Sequence, residues 1–390
     1  MEQLFAIGLL IGAGLIFARV LEKIKFPAVT GYILSGIVVG PYVLKLLNVE
    51  LVDSLHLISE VALAFIAFSV GSHMNLSTIR KMGSKILIVT VCEALGAMIV
   101  VTLGCYYIFN TSLGFALVLG SIACATSPAA TMMIIKQYNA SGELVDALMP
   151  VVALDDAVGI IAYGVSSSIA KASISGEALK LSMLITPVKE IFLALLFGAL
   201  IGFIFALLSQ KIKNREELLC ATLAFLFGAT ALSLYFEISS LLTLMTMGFV
   251  ISNVKNSNRR FTEEIDKVTP PIFISFFALS GANLNVKSIL SIGLIGLFYV
   301  LGRVIGKLGG AYLSTKFTGF SKTVTNYLGL TLIPQDSVAI ALSMLASKFL
   351  PMELGELIRT IVLASTFCYA LVGPVIAKYA IFKSGTIKQN

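Results

Sequence analysis

The chain has no tryptophan, only two histidines, and few charges: Asp, Glu, Lys and Arg make up 13% of its 390 residues. A soluble domain carries about 25% charged residues, so this one has too few to cover a water-facing surface. The five cysteines (92, 105, 124, 220 and 368) are odd in number and all lie in apolar stretches. That excludes a disulfide framework and a thiolate metal cluster. Neither His56 nor His73 has a companion at zinc-ligand spacing, and no resident cofactor is expected. Period-two alternation over about ten residues, the mark of a membrane β-barrel, is also missing.

What is abundant is hydrophobic sequence, at 57% of residues and a mean hydropathy of +0.96. Apolar segments of the length a helix needs to cross a bilayer recur near 3–18, 27–47, 55–73, 86–109, 113–135, 147–170, 187–209, 218–236, 238–253, 270–284, 289–314, 324–347 and 357–382. The expected class is an all-α polytopic membrane protein of about 13 transmembrane helices. The first segment follows acidic Glu2 rather than a basic stretch and has no small-residue cleavage site, so it reads as a retained helix.

The net charge of +7 reflects topology rather than a nucleic-acid footprint. Nineteen Lys and Arg fall on the odd-numbered loops and the C-terminal tail, against seven on the even-numbered loops. Cytoplasmic loops carry the basic excess, which predicts an external N-terminus and a cytoplasmic C-terminus. The remaining two, Arg303 and Lys307, sit inside an apolar segment.

Two stretches repeat. Gly71-Ser-His-Met-Asn-Leu-Ser-Thr-Ile79 parallels Gly281-Ala-Asn-Leu-Asn-Val-Lys-Ser-Ile289, and Pro128 in the fifth segment parallels Pro334 in the twelfth. Seven segments separate corresponding members, and an odd number inverts membrane orientation, as in many secondary transporters. The predicted divisions are a first inverted repeat over 1–174, a linker helix over 175–216 and a second repeat over 217–390. Both prolines stand among polar residues, in Ala125-Thr126-Ser127-Pro128 and Ile333-Pro334-Gln335-Asp336. Proline removes a backbone donor, and freed backbone groups at membrane depth are tolerated only where protein or a water-filled cavity satisfies them. A matched pair points to two discontinuous helices.

Ionisable residues within membrane segments are costly and mark function. They are Glu93, Asp155, Asp156, Arg303, Lys307 and Asp336. The acids outnumber the bases, so the site calls for cations or protons. Adjacent Asp155 and Asp156 project about 100° apart on a helix, so one is expected to face a cation and the other a basic partner, with Lys307 the obvious choice. Arg303 is placed to pair with Glu93 or Asp336.

Thr126-Ser127-Pro128, Asp155-Asp156 and Gly302-Arg-Val-Ile-Gly-Lys307 together resemble the cation:proton antiporter superfamily, and most closely its CPA2 branch of bacterial sodium/proton antiporters. Phe26-Pro-Ala-Val-Thr-Gly31 and Gly40-Pro41 fit the same resemblance. It implies a homodimer; the short loops and the lack of a targeting peptide point to a bacterial or archaeal plasma membrane. Segments 1–3 and 8–10 would form the dimerisation scaffold, and segments 4–6 and 11–13 an ion-translocating core in which the discontinuous helices cross. It also implies that Asp156 binds the ion, that Asp155 pairs with Lys307, and that Thr126 and Ser127 contribute oxygens, with unwound carbonyls nearby. Transported Na⁺ (or Li⁺ or K⁺) and H⁺ would compete for the aspartates. Gln335 stands where the family pattern has a small residue, and Glu93 and Asp336 are additional acids. A K⁺/H⁺ antiporter is the alternative, with an organic-anion symporter or an intramembrane aspartyl protease more remote.

Overall fold

The computed structural model describes residues 2–385 apart from 25, 75, 176–180, 213, 255–259, 285–292 and 336. Asp336, Asn75 and the second half of the Gly281–Ile289 motif therefore lie outside the described residues. Every described element is helical: α1 (Glu2–Lys23), α2 (Ala28–Val39), α3 (Val49–Ser54), α4 (His56–His73), α5 (Leu76–Met82), α6 (Ser84–Leu103), α7 (Leu113–Ile122), α8 (Pro128–Gln137) and α9 (Glu143–Ser175) come first. They are followed by α10 (Leu181–Ser209), α11 (Arg215–Tyr235), α12 (Ser240–Asn253), α13 (Arg260–Asn283), α14 (Gly293–Thr318), α15 (Lys322–Thr331), α16 (Ser337–Ser347) and α17 (Met352–Lys383). Seven of the described helices are long and apolar enough to cross a membrane alone. α2 and α12 are shorter than the sequence pattern suggested, at 12 and 14 residues. At 1.5 Å per residue neither crosses a 30 Å hydrocarbon layer unaided. The short helices α3 and α5 and a π turn at Gly104–Ile108 were not foreseen.

Local chemistry sets the interruptions. Ser112 and Ser321 cap α7 and α15 in the same way, each hydroxyl accepting from the backbone N–H three residues on. α7 and α15 are both ten residues long and both stop in apolar sequence. α8 then starts with Pro128 at its first turn and Ser127 as its cap, where a missing N–H costs nothing. Pro334, by contrast, lies within the second break, three residues before α16 begins at Ser337. The caps place the two interrupted helices 209 residues apart, so Thr126 corresponds to Gln335, and the prolines are three positions out of register rather than equivalent.

The chain divides into two compact units. The first comprises Met1–Val20, Gly31–Lys81 and Val188–Asn283. It is held by close helix crossings at glycine: an added Cβ at Gly71 would meet the backbone of Met245, and at Gly248 that of Phe68. The same arrangement recurs with Gly281 against Ile33 and Gly36 against Ala278. Small residues let helix backbones approach this closely; Gly71 and Phe68 recur 210 residues on as Gly281 and Ala278, and their partners Ile33 and Gly36 recur 212 residues on as Met245 and Gly248.

The second unit comprises Leu21–Thr30, Met82–Pro187 and Leu284–Asn390, and it contains both interrupted helices. Its central crossing is α6 with α14, where Gly96 and Gly306 face one another and Gly310 lies against Cys92 and Glu93. Gly309, in the same run, faces open space, so it contributes no packing there. The Gly96–Gly306 contact brings Glu93 of α6 within reach of Lys307 of α14.

Candidate functional site

Five charged side chains on α6, α9 and α14 are buried in the second unit: Glu93, Asp155, Asp156, Arg303 and Lys307. Lys307 Nζ donates to Glu93 Oε2 at 2.7 Å and to Asp155 Oδ2 at 3.0 Å, with all three side chains fully buried. One ammonium thus serves two carboxylates on two helices. Asp155 reaches it because its Cβ projects toward α14, whereas Asp156, turned about 100° away, does not. Neither carboxylate oxygen of Asp156 has a hydrogen-bond partner among the described residues. The second oxygens of Glu93 and Asp155 and the hydroxyl of Thr126 are in the same condition. Buried polar groups are almost always satisfied, so this concentration of free acceptors is the chemical signature of the site.

Among the described residues Arg303 has no acidic partner. Its Nε donates to the Ala123 carbonyl at 3.0 Å, Nη2 to Ala125 at 2.6 Å and Nη1 to Ile333 at 2.6 Å. Its guanidinium also lies over the Tyr369 ring, 4.6 Å from the centroid. The three carbonyls belong to the ends of α7 and α15, where unpaired C=O groups and the negative end of the helix dipole concentrate. A planar cation with five donors suits a cluster of carbonyls better than one acid. The expected pairing of Arg303 with Glu93 is therefore replaced: Glu93 goes to Lys307, and Arg303 goes to the breaks. These bonds tie the Ala123, Ala125 and Ile333 carbonyls of the two breaks to one side chain.

The two breaks touch. Ser127 N–H donates to the Pro334 carbonyl at 2.9 Å, and Thr131 Oγ1 donates to the Thr331 carbonyl at 3.4 Å. Gln335 Nε2 donates to the Ile122 carbonyl at 3.0 Å and to Tyr299 Oη at 3.2 Å. Gln335, Tyr299 and Tyr369 did not emerge as site residues from the sequence. The available signal was Gln335 itself, an amide directly after a proline inside an apolar run. The bulk that looked out of place there links one break to the other.

The arrangement suits binding of a small hard cation or protons. Hard cations take oxygen ligands, and Asp156 and Thr126 supply buried oxygens that no protein donor engages. Among the described residues no three His, Cys, Asp or Glu side chains form a metal-ligand cluster.

Residues 8–381 match the family described as sodium/hydrogen exchanger, transmembrane. The chain is 23% identical to the Na⁺/H⁺ antiporter of Enterococcus hirae over 97% of this chain and 98% of that protein. It is also 23% identical to the high-affinity Na⁺/H⁺ antiporter NhaS3 of Synechocystis, over 82% of this chain and 77% of that protein. Its fold superposes on that of the sodium proton antiporter MjNhaP1 of Methanocaldococcus jannaschii with a TM-score of 0.79, at 18% identity and over 99% of each chain. With buried acids, interrupted helices and a family match across nearly its whole length, the chain belongs to the transmembrane sodium/hydrogen exchanger family and is a multi-pass secondary active cation/proton antiporter.

Proposed function

We propose that the transported cation is Na⁺, with Li⁺ also accepted, and that the chain belongs to the CPA2 branch. Asp156 is the carboxylate for which cation and proton compete, with Thr126 and Ser127 at the break and Asp155 beside it. The observation that carries this reading is the fully buried Asp156 carboxylate with neither oxygen held by the protein. A single carboxylate cannot hold an ion and a proton together, so occupancy by one displaces the other and couples the two fluxes. Asp155 is the coupling partner of Lys307, supported by their 3.0 Å contact.

In this reading residues 1–174 and 217–390 are inverted repeats joined by a linker helix over 175–216. The matched glycine crossings and the matched caps of α7 and α15 support it. Segments 1–3 and 8–10 serve as the dimerisation scaffold of a homodimer, and segments 4–6 and 11–13 as the mobile ion-carrying core. The basic excess on odd loops supports an external N-terminus and a cytoplasmic C-terminus in the plasma membrane.

The test is exchange in liposomes that carry a pH gradient and a pH-reporting dye, with Na⁺, Li⁺ and K⁺ added in turn. Sodium is expected to dissipate the gradient in the wild type and to do nothing in Asp156→Asn. Dissipation by K⁺ alone would overturn the sodium assignment. Full activity in Asp156→Asn would overturn the site.

A further inference from the structure

Lys307 carries two acids where one would neutralise it. Glu93 on α6 and Asp155 on α9 both accept from its ammonium, at 2.7 and 3.0 Å, and all three side chains are fully buried. Each acid uses one oxygen on the lysine, while Glu93 Oε1 and Asp155 Oδ1 have no hydrogen-bond partner among the described residues. Burying a second carboxylate is unfavourable, and neutralising one ammonium does not require it.

The two halves of this bridge are held unequally. Glu93 and Lys307 stand on helices whose backbones touch. An added Cβ at Gly306 would meet Gly96 and Ala97, and one at Gly310 would meet Cys92 and the Glu93 Cα. Backbones packed this closely leave no room to slide, so the roots of the Glu93 and Lys307 side chains keep a fixed separation. Asp155 stands on α9, whose close glycine contacts lie elsewhere: Gly159 is beside Cys124 and Ala125 of the first break, and Ala170 is against Gly114 of α7. Asp155 is also the immediate neighbour of Asp156. A cation on Asp156 therefore acts on the Asp155 half of the bridge, attracting the free Asp155 oxygen and repelling the ammonium. Were Asp155 the sole partner of Lys307, drawing it away would leave an uncompensated buried ammonium, which is strongly destabilising. With Glu93 in place, the ammonium keeps a charge-assisted bond to α6.

We propose that Glu93 is a positioning residue for exchange, one that retains Lys307 on α6 and so releases Asp155 to the cation; this role rests on Asp156 being the cation's carboxylate. Glu93 itself does not touch the cation, and it sets cation affinity through Lys307.

Exchange in the liposome assay, measured against the concentration of whichever cation the wild type transports, tests this with Glu93→Gln and Glu93→Asp. Glutamine keeps the length and loses the charge, whereas aspartate keeps the charge and draws it back by one methylene, about 1.5 Å. Both variants should raise the half-saturating cation concentration about fivefold, the equivalent of one net hydrogen bond, with a smaller change in maximal rate. A glutamate that acted only through its charge would be replaced fully by aspartate. One that acted only in folding would lower the maximal rate and leave the half-saturating concentration where it was. Wild-type half-saturation in either variant therefore overturns the proposal. Structures of the wild type with and without the cation supply a check that needs no variant to fold. Lys307 should stay within hydrogen-bonding distance of Glu93 in both and leave Asp155 when the cation is bound. A lysine that keeps Asp155, or that leaves Glu93 instead, overturns the proposal. Exchange that survives Asp156→Asn would instead refute the assignment of the cation site, a result that neither Glu93 variant can produce.

Discussion

Replacing Arg303 by Met tests whether the guanidinium is what holds the two helix breaks together. The side chain is completely buried and makes three hydrogen bonds to main-chain carbonyls, two of them at 2.6 Å. Leaving a buried acceptor unpaired costs about 1–3 kcal/mol, so three carbonyls bring a gross loss of about 3–9 kcal/mol. Against that, burying the guanidinium itself costs several kcal/mol, which Met does not incur. Hydrogen bonds measured within membrane proteins average about 0.6 kcal/mol, which sets a floor of about 2 kcal/mol for three. A net loss of about 2–4 kcal/mol follows, and a fall in melting temperature of about 2–5 °C. Tryptophan fluorescence is not available in a chain without tryptophan, but the buried Cys124 lies in the first break, between two of the Arg303-bound carbonyls. With Cys105 and Cys368 replaced by Ala in every variant and the exposed Cys92 and Cys220 blocked, a thiol-reactive dye reports when Cys124 opens. Arg303→Lys, which keeps the charge but not the planar fork, should fall between wild type and Met. An Arg303→Met variant that melts within about 1 °C of wild type, with Cys124 unreactive up to that point, would refute the reasoning.

Three further outcomes follow from the same geometry. Lys307→Met leaves Glu93 and Asp155 buried without a cation and should destabilise by about 3–5 kcal/mol. Adding Glu93→Gln should recover part of that loss in the same melting assay, whereas additive losses would count against a shared ammonium. Gly306→Ala places a methyl against the Gly96 and Ala97 backbone and should cost about 1–3 kcal/mol. Gly309→Ala, which meets nothing, should be neutral or slightly stabilising, as thermal melting of the pair would reveal. In the first unit, hydrogen bonding from Lys267, joined by Arg215, holds the Glu264 carboxyl below its ordinary range. A depressed carboxylate stabilises above its unfolded pKa and loses that contribution as pH falls through the folded value. Glu264→Gln should therefore be less stable than wild type at neutral pH and match it in acid. A stability gap that persists unchanged into acid would refute this.

Much of this protein was legible in its sequence because the bilayer allows so few solutions. Thirteen apolar segments predict helices, since only helices and closed barrels satisfy the backbone in hydrocarbon. Each segment appears as a helix, a short helix or an interrupted pair. The charged positions at membrane depth were equally plain, as was the need of Asp155 and Asp156 for different partners, because helix geometry alone separates them by about 100°.

Which donor meets which acceptor was decided only by tertiary packing. Arg303 and Lys307 lie one turn apart on α14, and either is chemically suited to Glu93. The Gly96–Gly306 contact sets the register of α6 against α14, and that register gives Glu93 to Lys307. Arg303 is left among the carbonyls at the breaks, whose pull on a cation comes from the ends of two helices and is carried by no side chain. Composition and spacing name the groups that must be satisfied inside a membrane. The helix crossings, set by where a backbone can approach without a Cβ, choose their partners.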